Sequence, residues 1–304
     1  MDHLVALQAD LLRLDDYCVK NMLDLNPSKC SVVTFTRKKN TISSHYTLKG
    51  QKISKCDKIR DLGVIFDSKL LFDEHVDSIV KKASRALGFV MRMSSCFKEA
   101  KTFKILFCTF VRSILEYGSQ IWNPRYDKYI IRLESIQKRF IRYLCYRTRT
   151  EYISSDYLKL CAKFHLLPLT NRREISDIIF LLKILANNID SPELLSKIYI
   201  NVPAIVTRHY KPIHLPLASS NYRQNSFMRR AGKSLNASCK TYDIDIFNAN
   251  HATVRRMLSP YSQSPRRVVC RGMLLMNMSL WHGLKLVEFL VKTLHEFTQW
   301  RKVS

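Results

Sequence analysis

Residues 59–92 read IRDLGVIFDSKLLFDEHVDSIVKKASRALGFVMR, and a change of period inside this stretch decides the fold class. Up to Asp67 the apolar residues form a short run with β-branched and aromatic members, which suits a strand. From Val76 they recur three or four apart: Val76, Ile79, Val80, Ala83, Leu87 and Val90 form one stripe of an amphipathic helix. Asp73 and Glu74, just ahead of that stripe, suit a helix N-terminus, where negative side chains complement the macrodipole. Sheet-forming sequence gives way to helical sequence after Leu71.

Towards the N-terminus, Leu4, Leu7, Leu11, Leu14, Cys18 and Met22 make the stripe of a first helix, which Asn26-Pro27-Ser28 stops. SVVTF at 31–35 reads as a strand bounded by a basic turn, Arg37, Lys38, Lys39 and Asn40. YTLKGQKI at 46–53 reads as a hairpin around Gly50, and IRDLGVIFD at 59–67 as a further strand. Towards the C-terminus, Phe103, Leu106, Phe107, Phe110 and Ile114 form a second helical stripe, and Ile130, Leu133, Ile136, Phe140 and Leu144 a third. Isolated helices of this kind are marginal and bury their stripes on one another. Residues 171–186 and 192–198 continue the helical pattern. From 202 to 220, Pro203, Pro212 and Pro216 favour an extended path over the surface. The fold class expected is α+β and predominantly helical: a small antiparallel sheet with one helix, then a helical domain and a helical C-terminal extension.

Composition narrows the function classes. At 46% hydrophobic residues the 304-residue chain has ample material for a core, which excludes a disordered protein. Only 7 glycines and 9 prolines disfavour a turn-rich all-β domain. The formal charge of +25 points to a polyanionic partner, nucleic acid ahead of an anionic membrane surface. Most of the excess falls in residues 101–150 and beyond residue 200. The longest uncharged run of the most apolar stretch, Gly272–Leu284, is too short for the ~20 residues of a membrane span. The N-terminus has neither a basic leader nor a small-residue cleavage site, so an intracellular protein, cytoplasmic or nuclear, is expected. The 9 cysteines show no C-x2-C pairing and read as reduced thiols inside apolar segments.

A series of motifs carries a resemblance. LQADLLRL (7–14), NMLDLNPSKC (21–30), TFTRK (34–38), DLGVIFDSKLLFDEH (61–75), KASRALGFVMR (82–92), VRSILEYGSQIWNP (111–124) and LESIQKRF (133–140) occur in order. NRREISDIIFLLKIL (171–185), NNIDSPELLSKI (187–198), NVP (201–203) and NYRQNSFMRR (221–230) follow. Together they resemble the reverse transcriptase of insect non-LTR retrotransposons, of the jockey type, over about residues 3–258. The resemblance implies a palm remnant at 1–70, a helical thumb at 71–150, a helical and extended connection at 151–258, and an unassigned basic tail at 259–304. In this family the metal-binding aspartates lie on palm elements before the LQADL helix. The resemblance therefore implies a truncated, catalytically inactive RNA-directed DNA polymerase fragment with no cofactor. Mg²⁺ is expected only in an intact member, and an active enzyme only if catalytic sequence precedes Met1.

Asp15-Asp16 is the one adjacent aspartate pair. Two-metal phosphoryl transfer needs carboxylates converging on ions about 3.5–4 Å apart. Neighbouring residues of a helix instead diverge by about 100°, and this pair sits within a helical stripe. A solvated helix face is the expected reading. His209 and His214 have no third ligand nearby in sequence, so no metal site is expected.

Basic residues at helical pitch remain as candidates. Lys81, Arg85 and Arg92, with Lys82 beside them, lie on the face away from Val76, Ala83 and Val90. Lys128, Arg132, Arg139 and Arg142, with Lys138 beside them, form a second stripe. Such rows can follow phosphates and release counterions without reading sequence. Either row can equally be an ordinary solvated face. Asp61, Leu62, Gly63 and Val64 fall where the family's primer-grip hairpin would lie; the other reading is a core strand with Leu62 and Val64 inward. Tyr117 and Trp122 are expected to pack a helix end rather than stack on bases. The expected partner is RNA, DNA or their hybrid, held through phosphates. The alternative is a helical protein-interaction module with no nucleic-acid role.

Overall fold

The structure, a computed structural model, describes residues 2–38, 45–94, 97, 99–202, 210–242, 244–247 and 250–259. It divides into two compact units, residues 1–75 and 76–304. The basic turn at Lys39-Asn40, His209, the start of the proline-bearing segment at 203–209 and the basic tail beyond Ser259 lie outside the described residues.

In the first unit, helix α1 (Asp2–Lys20) packs on a hairpin of β2 (Thr47–Leu48) and β3 (Gln51–Lys52). Lys49 and Gly50 make the turn, both with positive φ, the mirror-image geometry that two-residue hairpin loops favour. Leu4 and Leu11 of α1 lie against Tyr46, Leu48 and Ile53. Gln8 fixes the register: its side chain donates to the Thr47 carbonyl at 2.9 Å and accepts from the Thr47 amide at 3.0 Å. The expected single stripe of α1 is divided. Leu7 and Leu14 are exposed, and Met22 lies beyond the helix, 97% exposed.

The expected antiparallel sheet is several separate strand pairs. β1 (Ser31–Val32) pairs in parallel with β4 (Ser54–Lys55), so SVVTF forms only a two-residue strand. The stretch at 59–67 is a hairpin rather than one strand: β5 (Lys58–Asp61) and β6 (Val64–Asp67) pair antiparallel around Leu62-Gly63. The Asp67 carboxylate then accepts from the amides of Lys69, Leu71 and Phe72, which closes the loop that follows.

Helix α2 (Asp73–Met93) begins with Asp73 and Glu74, as the macrodipole favours, and buries Val76, Ile79, Ala83, Leu87 and Val90. The next helix departs from its expected stripe. α3 (Ala100–Leu106) runs into a π-helical turn at Phe107–Arg112 and then α4 (Ser113–Glu116). The fully buried residues are Phe103, Phe107, Val111 and Leu115, each four apart, whereas Phe110 is 52% exposed. A spacing of four drifts off a 3.6-residue helix by about 40° per step, and the wider π turn absorbs that drift. After the short α5 (Ser119–Trp122), α6 (Asp127–Arg147) buries Leu133, Ile136, Phe140 and Leu144 as expected, with Tyr129 rather than Ile130 completing the face. Phe140 stacks on Phe107 with ring centres 4.0 Å apart.

α7 (Tyr157–Lys163) leads into the apolar α8 (Leu169–Leu185), followed by α9 (Pro192–Leu195). A short pair, β7 (Tyr199–Ile200) with β8 (Ile213–His214), precedes α10 (Asn221–Gln224), α11 (Phe227–Tyr242) and α12 (His251–Met257). α8 packs on α5, α6, α11 and α12. Residues on either side of position 150 lie in the same compact unit. Gly232 of α11 lies against Leu215 and Ile213 so closely that a Cβ there would meet Leu215 at 2.8 Å. The architecture is mostly helical with small strand pairs. No described helix is long and apolar enough to cross a membrane.

Candidate nucleic-acid interface

α2 turns Lys81, Lys82, Arg85 and Arg92 outward, all exposed, on the side opposite its buried stripe. None of the four makes an ion pair among the described residues. On α6, Lys128, Lys138, Arg139 and Arg142 are exposed on the side away from Leu133, Phe140 and Leu144. Three of them rest on aromatic rings: Lys128 over Tyr129 at 4.5 Å, Lys138 over Tyr157 and Arg142 over Tyr152, both at 5.1 Å. Such contacts fix the cation while leaving its outer side open to a ligand.

Arg132 differs from the rest of its stripe. It pairs with Asp77 of α2, both side chains a little over two-fifths exposed, so a local carboxylate already engages it. Asp77 stands one turn before Lys81, so this pair joins the edges of the two basic stripes. Near the other end of α2, the Tyr143 hydroxyl of α6 lies 3.3 Å from both Ser94 Oγ and the Met91 carbonyl. Contacts at both ends make α2 and α6 run side by side in one direction. From Lys128 to Arg142 the row extends roughly 21 Å along the axis, about the rise of six base pairs.

The tip at 61–64 resolves into a turn. Asp61 ends β5 half-buried, Leu62 is 40% exposed with φ +42°, Gly63 has φ +86°, and Val64 opens β6 fully buried. Val64 faces inward as a core strand requires, but Leu62 does not. Asp15 and Asp16 lie towards the C-terminal end of α1, Asp15 half-buried and Asp16 exposed. Among the described residues no three His, Cys, Asp or Glu side chains are grouped to hold a metal ion. The described cysteines are all free thiols, with Cys18, Cys145 and Cys161 buried. Trp122 is buried, its indole N–H donating to the Tyr117 carbonyl at 2.8 Å, so it packs the end of α5.

Helical periodicity does not single out the charges inside the second unit. Arg173 and Asp177, each 1% exposed, lie one turn apart on α8, on the same stripe as Leu169 and Ile184. Arg230 of α11 donates to Asp177 at 2.7 Å and to the carbonyls of Asn225 and Gln120 at 3.1 Å each. Arg173 donates to the Asn123 side chain at 3.0 Å. Burial pushes the Asp177 carboxyl up against the pull of Arg230, and burial lowers the Arg173 guanidinium. Buried Glu134 of α6 accepts from the Tyr157 hydroxyl at 2.6 Å and from the Thr170 amide at 2.8 Å. One signal was legible: an Arg and an Asp four apart on the apolar face of NRREISD. Compared with models of protein families, with curated proteins and with solved structures, the chain matches none.

Proposed function

We propose that this chain binds nucleic acid through its phosphate backbone without reading base sequence, using the joined faces of α2 and α6. The reading rests on one observation above the others. Two rows of exposed cations, on adjacent parallel helices, meet at the Asp77–Arg132 pair in a chain of net charge +25. Lys81, Lys82, Arg85, Arg92 and Arg139 supply charge with no local carboxylate partner among the described residues. Lys128, Lys138 and Arg142 supply charge held in place by rings. Each phosphate neutralised releases counterions, and duplex geometry then settles into register without base contacts.

Within this reading the chain is a catalytically inactive piece of a reverse transcriptase of the non-LTR type that keeps the capacity to bind a template–primer duplex through its helical unit. The Leu62-Gly63 turn is the feature that would support a primer end. The proposal assigns no metal-dependent step to these residues. Filter binding of a labelled duplex against salt tests it: with six phosphates engaged, log K falls with log[salt] at a slope near about −5. A flat salt dependence overturns it.

A second reading has its own observation. α1 exposes Val5, Leu12 and Val19 along one shoulder of the helix and Leu7 and Leu14 along another. Exposed apolar side chains on two sides of one helix suit a protein partner. A defined complex that persists in heparin would favour that reading.

A further inference from the structure

Two aromatic side chains stand in the open among the cations of the second unit. Phe89 of α2 is 54% exposed and Tyr146 of α6 is 80% exposed. Each is flanked by two arginines at the same spacing. Arg85 precedes Phe89 by four residues and Arg92 follows it by three; Arg142 precedes Tyr146 by four and Arg149 follows it by three. On a helix such residues share one face. Arg149 itself stands in the turn just after α6. All four arginines are exposed, and none makes an ion pair among the described residues. The Arg92 guanidinium folds back along α2 towards Gly88, so close that a Cβ there would meet Nη1 at 3.3 Å. That sets its charge on the turn that carries Phe89. Arg142 is held over the Tyr152 ring at 5.1 Å.

Both rings belong to the same end of the helix pair. The Tyr143 hydroxyl, from three residues before Tyr146, lies 3.3 Å from the carbonyl of Met91, two residues after Phe89. Neither ring stacks on another or carries a cation among the described residues. A single exposed aromatic is ordinary. The same arginine–ring–arginine arrangement on both basic helices is a different matter, because it alternates flat apolar faces with phosphate-seeking charges. Inside a duplex each base already stacks on its neighbours and offers no face to a side chain. An unpaired base does, and stacking accepts any base because each has a π-face.

We propose that Phe89 and Tyr146 each stack on an unpaired base of a single-stranded nucleic acid, with Arg85, Arg92, Arg142 and Arg149 holding the phosphates on either side. This rests on the phosphate-binding reading of α2 and α6 and adds to it the form of nucleic acid that the C-terminal ends of these helices select. The remaining cations of the two rows serve paired and unpaired strands alike, since they meet only the backbone. The rings contribute only where bases are free.

Titration of the full chain into a labelled oligothymidylate, and into a duplex of the same length, tests the rings directly. Phe89→Ala and Tyr146→Ala are each expected to weaken single-strand binding about tenfold. Their duplex affinity and their salt dependence on both ligands should match the wild type, because no phosphate contact is lost. Both rings are exposed, so their removal costs little stability. Tryptophan at either position is expected to keep single-strand affinity, whereas leucine, apolar but without a flat face, should lose it as alanine does. Arg85→Gln should instead make the salt slope shallower on both ligands. Single-strand affinity unchanged in both alanine variants, or retained by leucine, overturns the proposal and leaves the phosphate reading standing. So does an equal loss on duplex and single strand. A wild type that binds neither ligand overturns both.

Discussion

Arg132 on α6 and Asp77 on α2 form an ion pair that joins the edges of two cationic helix faces. Both side chains remain more than two-fifths exposed, so the pair contributes below about 1 kcal/mol to stability. Its larger effect is on ligand binding, because it places a carboxylate inside an otherwise basic surface. Asp77→Ala is expected to raise affinity for a fluorescent duplex about threefold at low salt, with little change in the unfolding midpoint. Arg132→Ala is expected to weaken binding less than Arg139→Ala, since Arg139 has no competing carboxylate. Anisotropy titrations of the three variants check the order, and weaker binding by Asp77→Ala would contradict it.

Removing charge should change the salt dependence as well as the affinity. With Lys81, Arg85, Arg92 and Arg139 all replaced by glutamine, four phosphate contacts disappear. Each contributes about −0.9 to the slope of log K against log[salt], so the slope should become shallower by roughly 3 to 4. The same count of glutamines on exposed cations of the first unit, such as Lys52, Lys55, Arg60 and Lys69, serves as the control. Equal effects of the two sets would mean that the net charge acts, rather than the helix faces.

How much of this was legible in the sequence depends on what each residue answers to. α2 and α6 follow a 3.6-residue period over 21 residues each, and their apolar and basic faces follow from spacing alone. α3 and α4 do not, because Val111 and Leu115 keep the spacing of four from Phe107, and only the π turn makes that spacing one face. Period-based reading places Phe110 inside for the same reason. The DLGV stretch reads equally as strand or turn until the Leu62 and Gly63 dihedrals are known. The pairing of Glu116 with Arg172 was out of reach: 56 positions separate them, and tertiary packing rather than any local pattern decides which arginine of α8 meets Glu116. Arg132 looks like any other member of its stripe until Asp77, 55 positions earlier, is placed beside it.

His75 makes the stability of the first unit pH-dependent. It is buried, and its Nδ1 accepts the Ile65 amide at 3.3 Å, which fits a neutral ring. Burial, with Arg60 adding repulsion, holds its pKa down to about 4. Below about pH 6.5 the unfolded chain binds a proton that the folded unit resists, so stability falls as pH drops towards 4. The contribution, fully present above the unfolded value, amounts to about 3 kcal/mol over that window. Chemical denaturation of wild type and His75→Asn between pH 7.5 and 4.5 isolates it: the difference should depend on pH in this window. A parallel pair of profiles would show that His75 does not titrate in this way.

The strongest stability prediction concerns Arg230 and Asp177, which tie α11 to α8. Asp177 is 1% exposed, and Arg230 is its charged partner at 2.7 Å. Arg230 also spans to the Gln120 and Asn225 carbonyls, so its loss leaves three acceptors short of a donor. Breaking a buried pair from one side strands the other charge and costs about 3–5 kcal/mol. Arg230→Ala is therefore expected to destabilise the second unit by that amount, measured by urea unfolding. Because burial already pushes the Asp177 carboxyl up, the stranded group should take a proton. Asp177→Asn in the Arg230→Ala background should then recover part of the loss at pH 7 and little at pH 4.5. Recovery of equal size at both values would show that the lost bonds to Gln120 and Asn225, rather than the stranded charge, account for the cost.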